Sequence, residues 1–457
     1  MTHWMWSLGL AVLLAGGVAA QAVEPAVGIE LAQASSKKKP AAKPAPKAAK
    51  SKSKSARGEA TSAYDPESPW PQYLGPDRNN ISRETGLAES WPESGPKVVW
   101  TAENLGAGYS AVSVARGRVF TIGSIGEDEF LIAVELDSGK ELWKTRIGST
   151  RKDGMGDGPR GTPTVDGDFV YALGANGDLA CCEVAGGQVA WTLNILKEFK
   201  GNNITWGISE SVFIDGDNLI CTPGGSEATL AALNKSTGKT VWTSVAPGGS
   251  SAGYASVVPI EVGGVRQYVQ FVHKGTMGIR ARDGKPMWAN DRSHNGTANC
   301  SSAVFADNMV FTSSGYGTGG AMLKLSSKGG ETRAEFGYFT KNMESHHGGL
   351  VLVDGCIYGS SDPGILRCLD LKTGDKKWEN RSVGKGAITA VDGKLILRAE
   401  TGPVALVKLT PEKYEELGRF EPSEKSGRQT WPYPVVAKGK LFLRDQDKLT
   451  AYDVINP

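Results

Sequence analysis

The sequence predicts an all-β protein: an eight-bladed β-propeller of four-stranded antiparallel blades, closed by pairing of its N- and C-terminal strands. Three observations carry this. A hairpin ending in Trp recurs with a spacing in the forties. No stretch has the 3.6-residue periodicity of a long amphipathic helix. Each end of the repeat array carries half of one unit, and the halves complete each other.

The unit is clearest in AVELDSGKELW (133–143), CCEVAGGQVAW (181–191), ALNKSTGKTVW (232–242) and CLDLKTGDKKW (368–378), with a shorter copy in ARDGKPMW (281–288). Each reads as strand, tight turn, strand. Gly139, Gly187, Gly238, Gly284 and Gly374 sit where a short hairpin loop needs a left-handed residue. Each Trp offers a large apolar face for packing between neighbouring sheets. Two weaker copies extend the series, and the alignment puts Phe336 and Phe420 at their Trp positions. The outer-strand markers are then Trp100, Trp143, Trp191, Trp242, Trp288, Phe336, Trp378 and Phe420, spaced by 43, 48, 51, 46, 48, 42 and 42 residues. Two more strands around a turn precede each hairpin, as in TPTVDGDFVYALG (162–174). PKVVWTA (96–102) is a Trp strand with no partner before it, and LTAYDV (449–454) is a partner with no Trp strand after it. Pairing them in one blade removes the edges that an open array exposes.

Residues 1–22 read as a signal peptide, with the apolar run SLGLAVLLAGGVAA (7–20) and small residues for cleavage. The segment before that run has no Lys or Arg, so retention as a signal anchor is the alternative. Residues 23–66 form a Lys/Ala/Pro-rich linker, and 67–457 the propeller. Within the linker, 35–57 hold eight Lys, one Arg and no acid. Such a segment has nothing to bury and is expected to be disordered. The whole chain has a formal charge of +2; that stretch supplies +9 and Glu24 with Glu30 supply −2, which leaves −5 for 58–457. A basic tail therefore precedes a mildly acidic body. It reads as a solvated spacer, or as an arm for an anionic envelope polymer or membrane surface. Specific nucleic-acid binding is not expected, and a monomer is.

In a propeller, the loops entering the inner strands line one mouth of the central channel. Here those positions carry Tyr109, Arg160, Trp206, Tyr254, Asn299, His347 and Trp431. Aromatic faces, one guanidinium, an amide and an imidazole make a candidate ligand floor. The alternative is that the Trp and Tyr rings simply fill the channel. No metal site is assigned. DGMGDG (153–158) lacks the spaced ligands of a calcium loop. His346 and His347 are adjacent strand residues, expected to diverge, with no third ligand in view. GYGTGG (315–320) matches a dinucleotide fingerprint, but a strand follows where a helix is needed.

The AxDxxTGxxxW pattern, matched best by Asp370, Thr373, Gly374 and Trp378, resembles the pyrroloquinoline-quinone-like (PQQ-like) β-propeller repeat family over residues 69–457. The lead-in WPQYLGPDRNNISRETGL (70–87) is similar to that of its secreted members. The resemblance implies one of two functions. One is a non-catalytic binding or protein-interaction scaffold of the cell envelope, like the outer-membrane protein assembly factor, with no cofactor and with an envelope protein or small molecule held at the funnel. The other is a PQQ-dependent alcohol dehydrogenase with the quinone and calcium at the centre. Some such enzymes carry a vicinal disulfide over the cofactor, and Cys181–Cys182 raises that question. The repeat register puts both in a strand, where side chains alternate, and adjacent Cα atoms about 3.8 Å apart are too close for ordinary disulfide geometry. Cys181 is therefore read as a small buried hydrophobe, and the same holds for Cys368. Cys356 and Cys368 flank the turn at 362–364 symmetrically, and a bridge between them is left open. With no C-x-x-C-H haem motif and no calcium set, the exported, non-catalytic scaffold is the expectation, in the periplasm or cell envelope.

Overall fold

The computed structural model describes residues 65–457, so the signal segment, almost all of the linker and the basic tail lie outside the described residues. Among the described residues, eight sheets follow one another, each built on four antiparallel strands in meander order, and one carries an added parallel strand. The first blade comprises Ser113–Ala115, Arg118–Ile125, Asp128–Glu135 and Glu141–Ser149. The inner strands of blades 2 to 7 begin at Thr164, Phe213, Val258, Val304, Ser345 and Gly386. In blade 8, Val435–Ala437, Lys440–Asp445 and Lys448–Asp453 come from the C-terminus and Val98–Ala102 from the N-terminal side. Val98–Ala102 pairs antiparallel with Lys448–Asp453, which closes the ring as the split unit predicts.

The turns explain the regularity. In six blades the two residues joining the first and second strands both have positive φ, as at Arg116-Gly117, Asp354-Gly355 and Asp392-Gly393. This mirror-image turn matches the twist of the strands it joins. Second strands such as Cys356–Ser361 and Lys394–Ala399 are buried at every position, because a neighbouring blade covers each face. Outer strands are largely exposed.

The Trp residues join blade to blade. Trp143 lies against Gly187 of the next blade, so a Cβ there would stand 2.5 Å from the ring, and its Nε1 donates to the Val184 carbonyl at 3.1 Å. Trp100 repeats this on Gly139 and Leu136, and Trp191 on Gly238 and Lys235. The strand register corrects two sequence assignments. In blade 5 the residue on the next blade's glycine, Gly374, is Tyr338, whose hydroxyl donates to the Leu371 carbonyl at 2.9 Å. Phe336 is two residues away and 43% exposed. The cause is register: the bulge that precedes each Trp falls between Met322 and Leu323, which pairs Met322 with Tyr338. In blade 7 the same register position holds Gly418, not Phe420. Trp91 from the lead-in covers Gly418 and meets Phe420 edge-on at 5.4 Å.

All six cysteines are free. Cys181 belongs to a core shared with Leu219 and Leu233, and Cys182 to one shared with Phe120 and Ile122. The two thiols face opposite sides of one strand, and burial pushes them up to about 12 and about 11. Cys356 pairs with Asp370 and Cys368 with Tyr358, so the two are offset across their strands rather than opposed.

The lead-in does something no repeat shows: it crosses the channel. Trp70 bridges to Val114 of blade 1, the Pro71 carbonyl accepts from Val165 of blade 2, and Ile81–Ser82 adds a parallel fifth strand to blade 7. Arg78, 2% exposed, donates to the carbonyls of Ser211, Val212 and Val257 at 2.9–3.2 Å. Asn80 bonds the Ile388 carbonyl, and Ser82 that of Val436 at 2.7 Å.

Candidate functional site

Above this plug the inner strands converge on a cavity with about 160 Å³ of water-accessible space. Hydroxyls tie the strands together beside it. Ser211 accepts from the Thr162 N–H at 2.8 Å, Ser256 from Ser211 at 2.9 Å, and Ser302 from Ser256 at 3.1 Å. Each is a cross-blade bond to a backbone N–H that no sheet ladder reaches.

Six of the seven residues selected from the sequence line this cavity: Tyr109, Arg160, Trp206, Tyr254, His347 and Trp431. Asn299 does not. It is 1% exposed, and its Nδ2 donates at 3.0 Å to the carbonyls of Val272 and His273. Its amide closes the end of the preceding blade, while its neighbours Ala298 and Cys300 face the cavity. The lining also includes residues that sequence reasoning passed over. Tyr433, two residues after Trp431, shares its face, a signal that period-two alternation carries. Tyr73 comes from the plug and bonds Tyr433 hydroxyl to hydroxyl at 3.3 Å, which makes the floor. Met155 and Tyr316 come from rim loops and are 53% and 48% exposed.

His346 also lines the cavity, against the expectation that adjacent residues diverge. The pairing between Ser345 and Leu350 skips, and this bulge turns both imidazoles inward with ring centres 4.7 Å apart. Lys385 donates to His346 Nδ1 at 2.7 Å and pairs with Asp362 at 2.8 Å. His347 Nε2 meets Glu400 at 2.9 Å, and Trp431 Nε1 donates to the same carboxylate at 3.3 Å. Burial, the neighbouring His347 and Lys385 push His346 down to about 3. Burial also lowers His347, against the pull of Glu400.

Arg160 is a staple. Its guanidinium bonds Asp153 at 3.1 Å and the carbonyls of Gly156 and Gly158 at 3.0 and 3.1 Å, and lies 5.3 Å over the Tyr109 ring. The 153–158 loop is thereby folded onto Tyr109, and Gly156 is needed because a Cβ would stand 2.0 Å from the Tyr109 hydroxyl. Two aromatic pairs form the walls: Tyr109 with Trp431, centres 4.5 Å apart at 35°, and Trp206 with Tyr254, 5.6 Å at 42°. Among the described residues, no carboxylate is part of the lining. The acids behind it, Asp153, Asp362 and Glu400, are each held by a cation or an imidazole. Among the described residues, no group of three or more His, Cys, Asp or Glu side chains could hold a metal ion.

The profile of the family described as outer membrane protein assembly factor BamB matches residues 82–205 and 127–380, more than half of the chain. The assembly factor BamB of Yersinia pestis is 32% identical over 125 residues, which cover 25% of this chain and 30% of that protein. The Salmonella typhimurium protein of the same name is 29% identical over 140 residues, covering 30% and 31%. The matched segments thus span less than a third of these relatives. Among solved structures, the quinohemoprotein alcohol dehydrogenase of Comamonas testosteroni superposes with a TM-score of 0.52 at 12% identity, over 87% of this chain and 83% of that one. That likeness is one of fold.

Proposed function

The chain belongs to the PQQ-like propeller family of the outer membrane protein assembly factor BamB, and on that premise we propose that it is an exported, non-catalytic scaffold of the cell envelope. In this reading the blade loops and the funnel hold a protein or small-molecule partner. The observation that carries it is the character of the funnel. The walls are aromatic, burial disfavours a charge on either histidine, and every nearby acid is already engaged. Such a surface binds; it presents no carboxylate poised to take a proton from a substrate. The apolar run at 7–20 supports export, and the names of the matched relatives support an envelope partner.

The dehydrogenase reading asks more of these residues than they offer. A tricarboxylate quinone calls for several cationic partners, and calcium for six to eight oxygen donors with carboxylates among them. Among the described residues, the lining has one guanidinium, spent on its own loop, and no carboxylate. These residues do not fit that group. The scaffold reading is tested by photo-crosslinking in the native envelope, from single positions at the funnel rim and on the blade loops. A discrete partner at the rim supports it, and uniform absence of cross-links at every position overturns it.

A further inference from the structure

Resting on the reading of the funnel as a binding site, we propose that its occupant is an uncharged single aromatic ring, presented from the open mouth.

Size comes first. About 160 Å³ of water-accessible space is close to the roughly 150 Å³ cavity of apolar lining that takes up benzene. One six-membered ring fills it. Shape comes second. The floor is shut by Tyr73 and Tyr433, so the ring enters past Met155 and Tyr316, the two exposed apolar side chains of the rim. Inside, the Tyr109–Trp431 and Trp206–Tyr254 pairs offer tilted faces suited to offset stacking or edge-to-face contact.

Charge is the third argument. A cationic ring would approach Arg160, whose guanidinium already covers the Tyr109 face, and Lys385 just behind His346. An anionic ring would lose its hydration against aromatic walls, and the one guanidinium in the lining is bonded to Asp153 and two carbonyls. A neutral ring pays neither cost. The hydroxyls of Thr162 and Ser209 in the lining suit a single phenolic O–H.

The test is saturation-transfer NMR and calorimetry on the full chain with p-cresol, 4-methylcyclohexanol, p-toluate and benzylammonium. The expected result is saturable p-cresol binding at about 1 mM or tighter. The saturated alcohol and both charged rings should bind at least about fivefold more weakly. Trp431→Ala should weaken p-cresol by about five- to tenfold, and Trp206→Leu repeats the test should the first variant lose its β circular dichroism. A Gly-Gly-Tyr-Gly-Gly peptide separates two sources of the same ring. Binding of free p-cresol alone assigns a small molecule; binding of both assigns a partner's tyrosine. Absence of saturable p-cresol binding, or equal binding of 4-methylcyclohexanol, overturns the inference. If rim cross-links to a partner persist in that case, the scaffold reading stands without it; if they are absent too, both fall.

Discussion

Replacing Arg78 by Met should destabilise the propeller by about 3–5 kcal/mol. The figure follows from the geometry. The guanidinium makes three bonds to buried carbonyls and a fourth to Gln72, at 2.9–3.2 Å. At about 1.5–2 kcal/mol each, charge-assisted bonds of this kind total about 6–8 kcal/mol. Against that stands the cost of burying the charge, visible in a guanidinium pushed down to about 10 by desolvation. That depression is equivalent to about 3 kcal/mol, and methionine escapes it. Methionine also keeps apolar contact with Phe213, whose ring lies 5.1 Å from the guanidinium. With about 2 cal/mol/K of unfolding entropy per residue over roughly 390 residues, the net loss lowers Tm by about 4–6 °C. The assay is thermal unfolding followed by near-UV circular dichroism at pH 7. Arg419→Met, which breaks an exposed pair with Glu416, is the control and should move Tm by less than about 1 °C. Equal shifts for the two variants would refute the claim that the lead-in is pinned across the channel through Arg78.

Three further outcomes follow from the same structure. Gly187→Ala should cost about 2–4 kcal/mol, since it combines a positive φ with displacement of Trp143, whereas Gly126→Ala meets open space and should cost about 1 kcal/mol; comparing their denaturant midpoints checks this. Tyr338→Ala should destabilise by about 2–3 kcal/mol and Phe336→Ala by under about 1 kcal/mol, and the reverse order would mean the blade 5 register is wrong. Glu129 is fully buried, and burial raises its carboxyl to about 7, so the folded chain keeps a proton that the unfolded chain releases above about 4.5. Stability from this group is therefore present below pH 4.5 and lost as pH climbs to about 7, and Glu129→Gln should stabilise by about 1–3 kcal/mol at pH 8 but not at pH 4.5.

Much of this architecture was legible because the signals are local and repeated. A hairpin glycine serves both its own turn and the aromatic ring of the preceding blade, so the two recur together, as at Gly187 and Trp143. The funnel positions were legible for a related reason: a residue just before each inner strand faces the axis, as Tyr109, Trp206 and Trp431 do. Asn299 breaks that rule because its amide is drawn to two carbonyls at a blade end, a competition that spacing cannot reveal. His346 and Tyr338 depend on where a bulge falls, and one residue of slip reverses which face a side chain takes. The plug was illegible for a different reason. Arg78 finds its three carbonyl partners 133 to 179 residues away, and nothing in its own neighbourhood points to them.

The central claim, a propeller whose funnel binds without redox chemistry, is tested most directly by reconstitution. The purified chain is incubated with pyrroloquinoline quinone and calcium, desalted, and examined by absorption together with dye reduction in the presence of simple alcohols. The account predicts no retained quinone and no alcohol-dependent reduction. Retained quinone with dye reduction that scales with alcohol would contradict it and make the chain an oxidoreductase.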